Sequence, residues 1–120
     1  MAERHVWDEI SERTIIKGFN GRFIHTERMT FALWRFEAGA VLPRHRHPHE
    51  QVAHVFEGEL ELIVEGETFR CGPGSVLVIP PNAWHEGTIL TDARVMDVFS
   101  PPRDDYREGA TATVLGDAER

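Results

Sequence analysis

The sequence predicts an all-β protein, either a sandwich or a barrel of short strands. Turn signals recur at short intervals, and the runs between them are rich in Val, Ile, Leu, Phe and Trp. Short apolar runs punctuated by glycine and proline are typical of these two architectures. After residue 28, no segment of useful length has the helical period. The turn signals are Glu37-Ala38-Gly39, Pro48, Glu57-Gly58, Glu65-Gly66, Gly72-Pro73-Gly74, Pro80-Pro81-Asn82 and Ser100-Pro101-Pro102.

The length and composition predict one domain. The chain has 120 residues, of which 41% are hydrophobic and 28% charged, as in an ordinary globular protein. We expect the core of the barrel over about 29–103, an N-terminal arm or short helix within 1–28, and a peripheral C-terminal extension over 104–120. The whole of 1–120 is then a single unit.

The net charge, the length of the apolar stretches and the cysteine content indicate which partners and which compartment to expect. The net charge is −7, with acidic residues spread along the chain, which disfavours nucleic-acid binding. No apolar stretch is long enough for a membrane span, and no signal peptide is evident. Cys71 is the one cysteine, which we expect to be a packed or half-buried turn thiol. Together these features predict a cytoplasmic protein.

Several predicted strands are apolar on both faces. In 29–36, Met29, Phe31 and Leu33 have one parity, while Ala32, Trp34 and Phe36 have the other. Because a small barrel buries only its inner face, the outer apolar face needs a second sheet, an arm or a partner subunit. We therefore predict a homodimer, with a monomer covered by its own N-terminal arm as the alternative.

Five of the seven histidines lie between His45 and His85, and their spacing predicts a metal site. His45 and His47 have the same strand parity, so their side chains emerge on one face about 6 to 7 Å apart. Gln51 shares that parity if residues 48–50 form a tight connection, and His85 would arrive from a neighbouring strand. Three imidazoles and one oxygen suit one divalent ion, namely zinc, nickel, iron or manganese.

A second cluster precedes the C-terminal extension. Val95, Asp97 and Phe99 share a face, and a carboxylate between apolar neighbours on an inward face is costly unless it is paired or protonated. Asp97 is therefore the best general acid or base in the chain. Arg103 could bind a substrate carboxylate through two hydrogen bonds. Alternatively, Arg103 forms an ion pair with Asp97 or is solvated.

At these two clusters the sequence resembles the cupin superfamily. Gly39, His45, His47, Gln51 and Gly58 have the spacing of the first cupin motif, with Gln51 where Glu is usual. Gly74, Pro80, Asn82 and His85 have the spacing of the second, with Asn82 in place of Gly. The resemblance implies a double-stranded β-helix, or jelly-roll, barrel with a metal ion inside, held by His45, His47, Gln51 and His85.

Two other residues are rival fourth ligands. Glu50 is charged, but its parity directs it away from His45 and His47; His49 has the right parity, but it follows Pro48 at the presumed turn. We favour Gln51. A neutral amide in place of a carboxylate leaves the ion its full +2 charge, which favours Lewis-acid chemistry on an anionic substrate.

The run from Asp97 to Tyr106 resembles the small pectin-degradation cupins, the KdgF-like family. The resemblance implies an isomerase that converts a 4,5-unsaturated monouronate, a small anionic sugar, into a linear ketonised sugar. It places the acid/base, aromatic and arginine positions on Asp97, Phe99 and Arg103. The alternatives are another metal-dependent cupin enzyme, such as a dioxygenase, or a non-catalytic module that binds a metal or a sugar.

Overall fold

The structure, a computed structural model, describes residues 1–107 and 117–118, and in these it contains eleven strands and two 3-10 turns. The 3-10 turns are Trp7–Glu9 and Asp104–Tyr106. The strands are β1 (Arg13–Ile16), β2 (Phe19–His25), β3 (Thr30–Phe36), β4 (Val41–Arg46), β5 (Glu50–Glu57), β6 (Leu60–Val64), β7 (Glu67–Cys71), β8 (Val76–Ile79), β9 (His85–Ile89), β10 (Ala93–Ser100) and β11 (Asp117–Ala118).

The strands form two antiparallel sheets that face each other. One sheet has the order β1-β2-β3-β10-β5-β8, and the other has the order β11-β4-β9-β6-β7. Several neighbours, such as β3 and β10 or β4 and β9, come from distant parts of the sequence, as in a jelly roll. The predicted all-β jelly-roll barrel is confirmed.

Alternation along the strands produces the core. In β10, Val95, Asp97 and Phe99 are buried while the residues between them are more exposed, and β6 buries Leu60, Leu62 and Val64 in the same way. Inward side chains of the two sheets meet in one large apolar cluster, which includes the single cysteine, Cys71. The barrel interior is therefore apolar except where polar residues enter it.

The N-terminal boundary of the barrel lies earlier than we expected. Residues 13–25, assigned above to an arm within 1–28, form β1 and β2, and β2 pairs with β3 over its whole length. Phe19 is buried against Phe36, with ring centroids 4.9 Å apart. The polar residues and the glycine of β2 interrupt the alternation of apolar and polar residues by which a strand is identified in a sequence. Asn20 is polar but buried, and its amide donates a hydrogen bond to Glu37.

The C-terminal boundary also differs. Tyr106, expected in the peripheral extension over 104–120, is buried, and 117–118 pair with β4. The remainder of that extension, 108–116 and 119–120, lies outside the described residues. The only helical segments in the described part are the two three-residue turns, neither of which could span a bilayer.

Candidate metal centre and catalytic cavity

Two neighbouring strands bring the predicted histidines together. β4 and β9 are paired so that His45 lies opposite His85, and His47 directly follows β4. The ring centroids are 4.1 Å apart for His45 and His85 and 5.0 Å apart for His47 and His85. One ligand nitrogen from each of the three lies within 4.8 Å of the others, and all three side chains are buried. This group could hold a metal ion.

Backbone carbonyl groups fix the orientation of the three imidazoles. The Nδ1 atoms of His45, His47 and His85 lie 2.9, 3.2 and 2.8 Å from the carbonyl oxygens of Pro43, His49 and Ala83. A ring whose Nδ1–H donates to a carbonyl has its Nε2 lone pair available, as in most metal-bound histidines. Among the described residues, the buried His85 Nε2 has no hydrogen-bond partner, which fits a ligand atom directed at a cation.

Burial keeps these rings neutral at pH 7. It lowers the pKa of His45 to about 4, with a further contribution from His85. Burial and the charge of Arg103 lower the pKa of His47 to about 3, and burial also lowers the pKa of His85. Since a neutral imidazole is the form that binds a metal, the site does not need to lose protons before it binds one.

Gln51 reaches the same point from β5. Its side chain is buried, and its Oε1 lies 3.1 Å from His47 Nε2. A neutral imidazole has one N–H, yet His47 faces two acceptor oxygens, those of Gln51 and of the His49 backbone. A cation between His47 Nε2 and Gln51 Oε1 would satisfy both lone pairs. Of the two rival ligands, Glu50 is exposed, and His49 is outside the three-histidine group.

Asp97 lies on β10 and is buried, as its parity predicts. The indole Nε1 of Trp34 donates to its Oδ2 over 2.9 Å. Burial raises the pKa of Asp97 to about 6, against the opposing effects of the Gln51 amide, Trp34 and Arg103. A carboxyl group with this pKa can both accept and release a proton near neutral pH.

Arg103 is buried, with 1% of its surface exposed. Its Nε and Nη2 donate to the two carboxylate oxygens of Asp105 over 3.0 and 2.8 Å. The guanidinium carbon lies 4.7 Å from the ring centroid of Phe99 and 4.1 Å from that of Tyr106. Arg103 therefore forms an ion pair with Asp105, and the contacts of the described residues include none between Arg103 and Asp97, the pairing that we considered as an alternative.

The predicted metal and acid/base side chains line one cavity of about 50 Å³, with the exception of His47, which is not part of its wall. It lies between the two sheets, and polar groups from β4, β5, β9 and β10 face apolar ones from β1, β2 and β3. The lining residues are His45, Gln51, His85, Asp97, Phe99, Arg103, Tyr106, Ile15, Ile16, Phe19, Trp34, Phe36 and Leu42. The predicted metal and acid/base residues are thus neighbours in space, although up to 58 positions separate His45 from Arg103 in the sequence.

Comparison with known proteins identifies the family. Residues 32–99 match the family described as the cupin domain. The protein is a cupin. Its sequence is 32% identical over 97 residues to an uncharacterized protein of Streptomyces coelicolor, covering 79% of this chain and 92% of that one.

Two further relatives of this cupin have a name in common. It is 34% identical over 73 residues to the pectin degradation protein KdgF of Dickeya dadantii, covering 59% of this chain and 66% of that protein. The structure of KdgF from a Halomonas species superposes with a TM-score of 0.84 at 31% identity, covering 89% of this chain and 100% of that one. The chain is therefore a small cupin that resembles KdgF.

Sequence reasoning missed several residues of this cupin's cavity. Trp34 could have been suspected, because a buried indole needs an acceptor for its N–H. Asp105 follows Arg103 by two positions, but nothing in the spacing distinguishes it from its neighbour Asp104. No sequence pattern indicated that Ile15 and Ile16 line the cavity, since they lie in the segment that we expected to be an arm.

Proposed function

We propose that this cupin is a metal-dependent isomerase that converts a 4,5-unsaturated monouronate to a linear ketonised sugar. The observation that carries the proposal is the shared cavity, in which neutral imidazoles, a buried carboxyl group and a buried guanidinium face one small space. The similarity to the two KdgF proteins supports the class of substrate.

The proposed metal ligands are His45, His47 and His85, with Gln51 as the fourth. They would hold one divalent ion of zinc, nickel, iron or manganese. When bound, the ion would supply Lewis-acid polarisation of a substrate oxygen. Because all four ligands are neutral, the site would retain a charge of +2 and attract an anionic sugar.

Asp97 is the proposed acid/base catalyst. It would accept the proton of the hydroxyl group on C1 as the bond between C1 and the ring oxygen breaks, leaving an aldehyde at C1 and an enolate at C5. It would then deliver that proton to C4 as the enolate becomes a ketone. The atoms balance, because one proton leaves an oxygen and one arrives at a carbon. A carboxyl pKa of about 6 suits both transfers.

Arg103 and Phe99 are proposed to position the substrate. Arg103 lines the cavity, so its charge would attract the substrate carboxylate. Phe99 would form a wall against the carbon atoms of the sugar, while its other contacts hold the guanidinium in place. Asp105 accepts from Nε and Nη2 of the guanidinium, and the substrate would approach Arg103 from the cavity.

The test is turnover of unsaturated galacturonate by protein loaded with Zn²⁺ or Ni²⁺. The absorbance of the conjugated alkene should fall faster than in buffer or with metal-free protein. Asp97→Asn should retain its metal but lose about 100-fold or more of the rate. If bound metal is verified and the absorbance falls no faster than in buffer, the proposed substrate is wrong. Oxygen uptake with an aromatic or thiol substrate would instead indicate a dioxygenase.

A further inference from the structure

β1 supplies two consecutive residues to the wall of the cavity. Ile15 and Ile16 both line it, although neighbours in a regular strand point to opposite faces. The cause is a β-bulge: Thr14 lies opposite Asn20, but Ile16 lies opposite Phe19, so β1 has one extra residue. A bulge redirects side chains, and here it gives both isoleucines access to the interior.

The cavity is too small for a sugar as it stands. Its volume is about 50 Å³, whereas pockets that hold small molecules have roughly 300 to 1,000 Å³. Any ligand of the size of one sugar ring therefore requires part of the wall to move.

Among the walls, β1 is the one that can separate with the fewest broken contacts. β3, β5 and β10 each have a hydrogen-bonded strand on both sides, whereas β1 is four residues long and lies at the edge of its sheet, paired with β2. Its side chains add four contacts: the Arg13 guanidinium donates to the Tyr106 carbonyl oxygen and lies 4.9 Å from the ring centroid of Phe23, and the Thr14 hydroxyl donates to Asn20 Oδ1 over 2.6 Å. The fourth is the exposed ion pair of Glu12, which precedes β1, with Arg35. Short, partly exposed edge elements open at low free energy.

We propose that β1 is the movable wall of this cavity and that Ile15 and Ile16 determine substrate specificity. β1 moves outward to admit the ligand, and on its return the two isoleucines pack against the carbon face of one sugar ring. A ligand with a second sugar attached keeps β1 open and loses these contacts. The nature of the ligand rests on the proposed function, but the movement of β1 does not.

The movement is tested by native-state hydrogen exchange on the full metal-free chain. The amides of β1 should exchange by a local opening that low concentrations of denaturant do not accelerate, while those of β3 and β10 exchange through global unfolding. If β1 exchanges only with global unfolding, the movable wall is wrong. This result does not depend on any substrate.

Specificity is tested with the double variant Ile15→Ala/Ile16→Ala on unsaturated monouronate and diuronate. The preference for the monouronate, as the ratio of kcat/KM values, should fall at least tenfold, mainly through KM for the monouronate. The matched control is Ile24→Ala, a half-buried isoleucine of β2 that does not line the cavity, and it should keep the preference. If the double variant does not fold, Ile16→Val should show a smaller change in the same direction.

The possible outcomes separate the two proposals. A wild-type protein inactive on the monouronate contradicts the proposed function, and hydrogen exchange still decides whether β1 moves. An active wild type whose preference is unchanged in the isoleucine variants contradicts the specificity assignment alone.

Discussion

The carboxyl group of Asp97 is held in a state that costs stability. Its neighbours Trp34, Gln51 and Arg103 each favour the charged form, but burial outweighs them and raises its pKa from 3.8 to about 6. The folded protein therefore binds this proton more tightly than the unfolded chain does. The stabilisation of the folded state by this tighter proton binding is complete below pH 4 and is lost as the pH rises through 6.

We predict that Asp97→Asn stabilises the metal-free protein at neutral pH. The pKa difference corresponds to about 3 kcal/mol, and the neutral amide avoids this cost. Urea unfolding should show the variant to be more stable than wild type at pH 7.5, with the gap closing as the pH falls to 4. The histidines titrate in both proteins and cancel in the comparison. A gap that does not change with pH would contradict the raised pKa.

Arg103 is a buried cation that is paired with the carboxylate of Asp105. The two carboxylate oxygens of Asp105 accept hydrogen bonds from the Arg103 guanidinium. The rings of Phe99 and Tyr106 cover the faces of that guanidinium. Its neighbour Asp104 has an exposed side chain and pairs with Arg107. The two adjacent aspartates therefore provide a matched pair of variants.

We predict that Asp105→Asn destabilises the protein by about 2 to 4 kcal/mol, because it removes a carboxylate that is paired with a buried guanidinium. Asp104→Asn should change the free energy of unfolding little, since exposed ion pairs contribute little. Chemical denaturation of both variants measures the difference. Equal effects of the two substitutions would show that Asp105 is not what holds Arg103.

At the scale of the elements, the pairing of β2 with β3 sets the position of Trp34. Gly21 lies opposite Trp34 in this register. A Cβ atom at position 21 would lie 2.8 Å from the indole and 2.7 Å from the ring of Phe23. Because Gly21 has no side chain, the Trp34 indole can occupy the position in which its Nε1 donates to Asp97.

We predict that Gly21→Ala destabilises the protein by about 1 to 3 kcal/mol, the usual cost of overpacking. It should also shift the tryptophan fluorescence, because the indole must move. Gly72→Ala is the control, since a Cβ there would meet no atom closer than 3.9 Å. A stability unchanged in Gly21→Ala would mean that β2 and β3 separate easily.

At the scale of the whole molecule, the outer face of the six-stranded sheet carries a continuous row of apolar residues. One row of apolar residues crosses five strands in register, and Val78 at its end, on the edge strand β8, is 56% exposed. The row consists of Ile24, Phe31, Val98, Val52 and Val78. An apolar row of this kind favours a second copy of the same chain as its partner.

We predict a homodimer that forms through this face. Light scattering after size-exclusion chromatography should give twice the mass of one chain, and Val78→Glu should return the protein to a monomer. Val41→Glu is the control, because Val41 is 60% exposed on the other sheet. A monomeric wild type, or a dimer broken only by Val41→Glu, would contradict this interface.

The sequence by itself determined the all-β class, the cupin motifs, and the inward direction of His45, His47, Gln51 and Asp97. These features depend on strand parity and on spacing within a few residues, which are local properties of the chain. The convergence of His85 on the other histidines followed from motif spacing and was only a hypothesis until β9 was seen beside β4.

Only the tertiary structure determined which side chains from separate elements are in contact. It selected Asp105 over Asp97 as the partner of Arg103, because reach and burial, not spacing, decide between two carboxylates. It also placed β1 in the cavity wall, because the strand joins the sheet through its pairing with β2 and its bulge redirects two side chains. Contacts of this kind depend on the packing of separate elements, and their energies appear only when those elements meet.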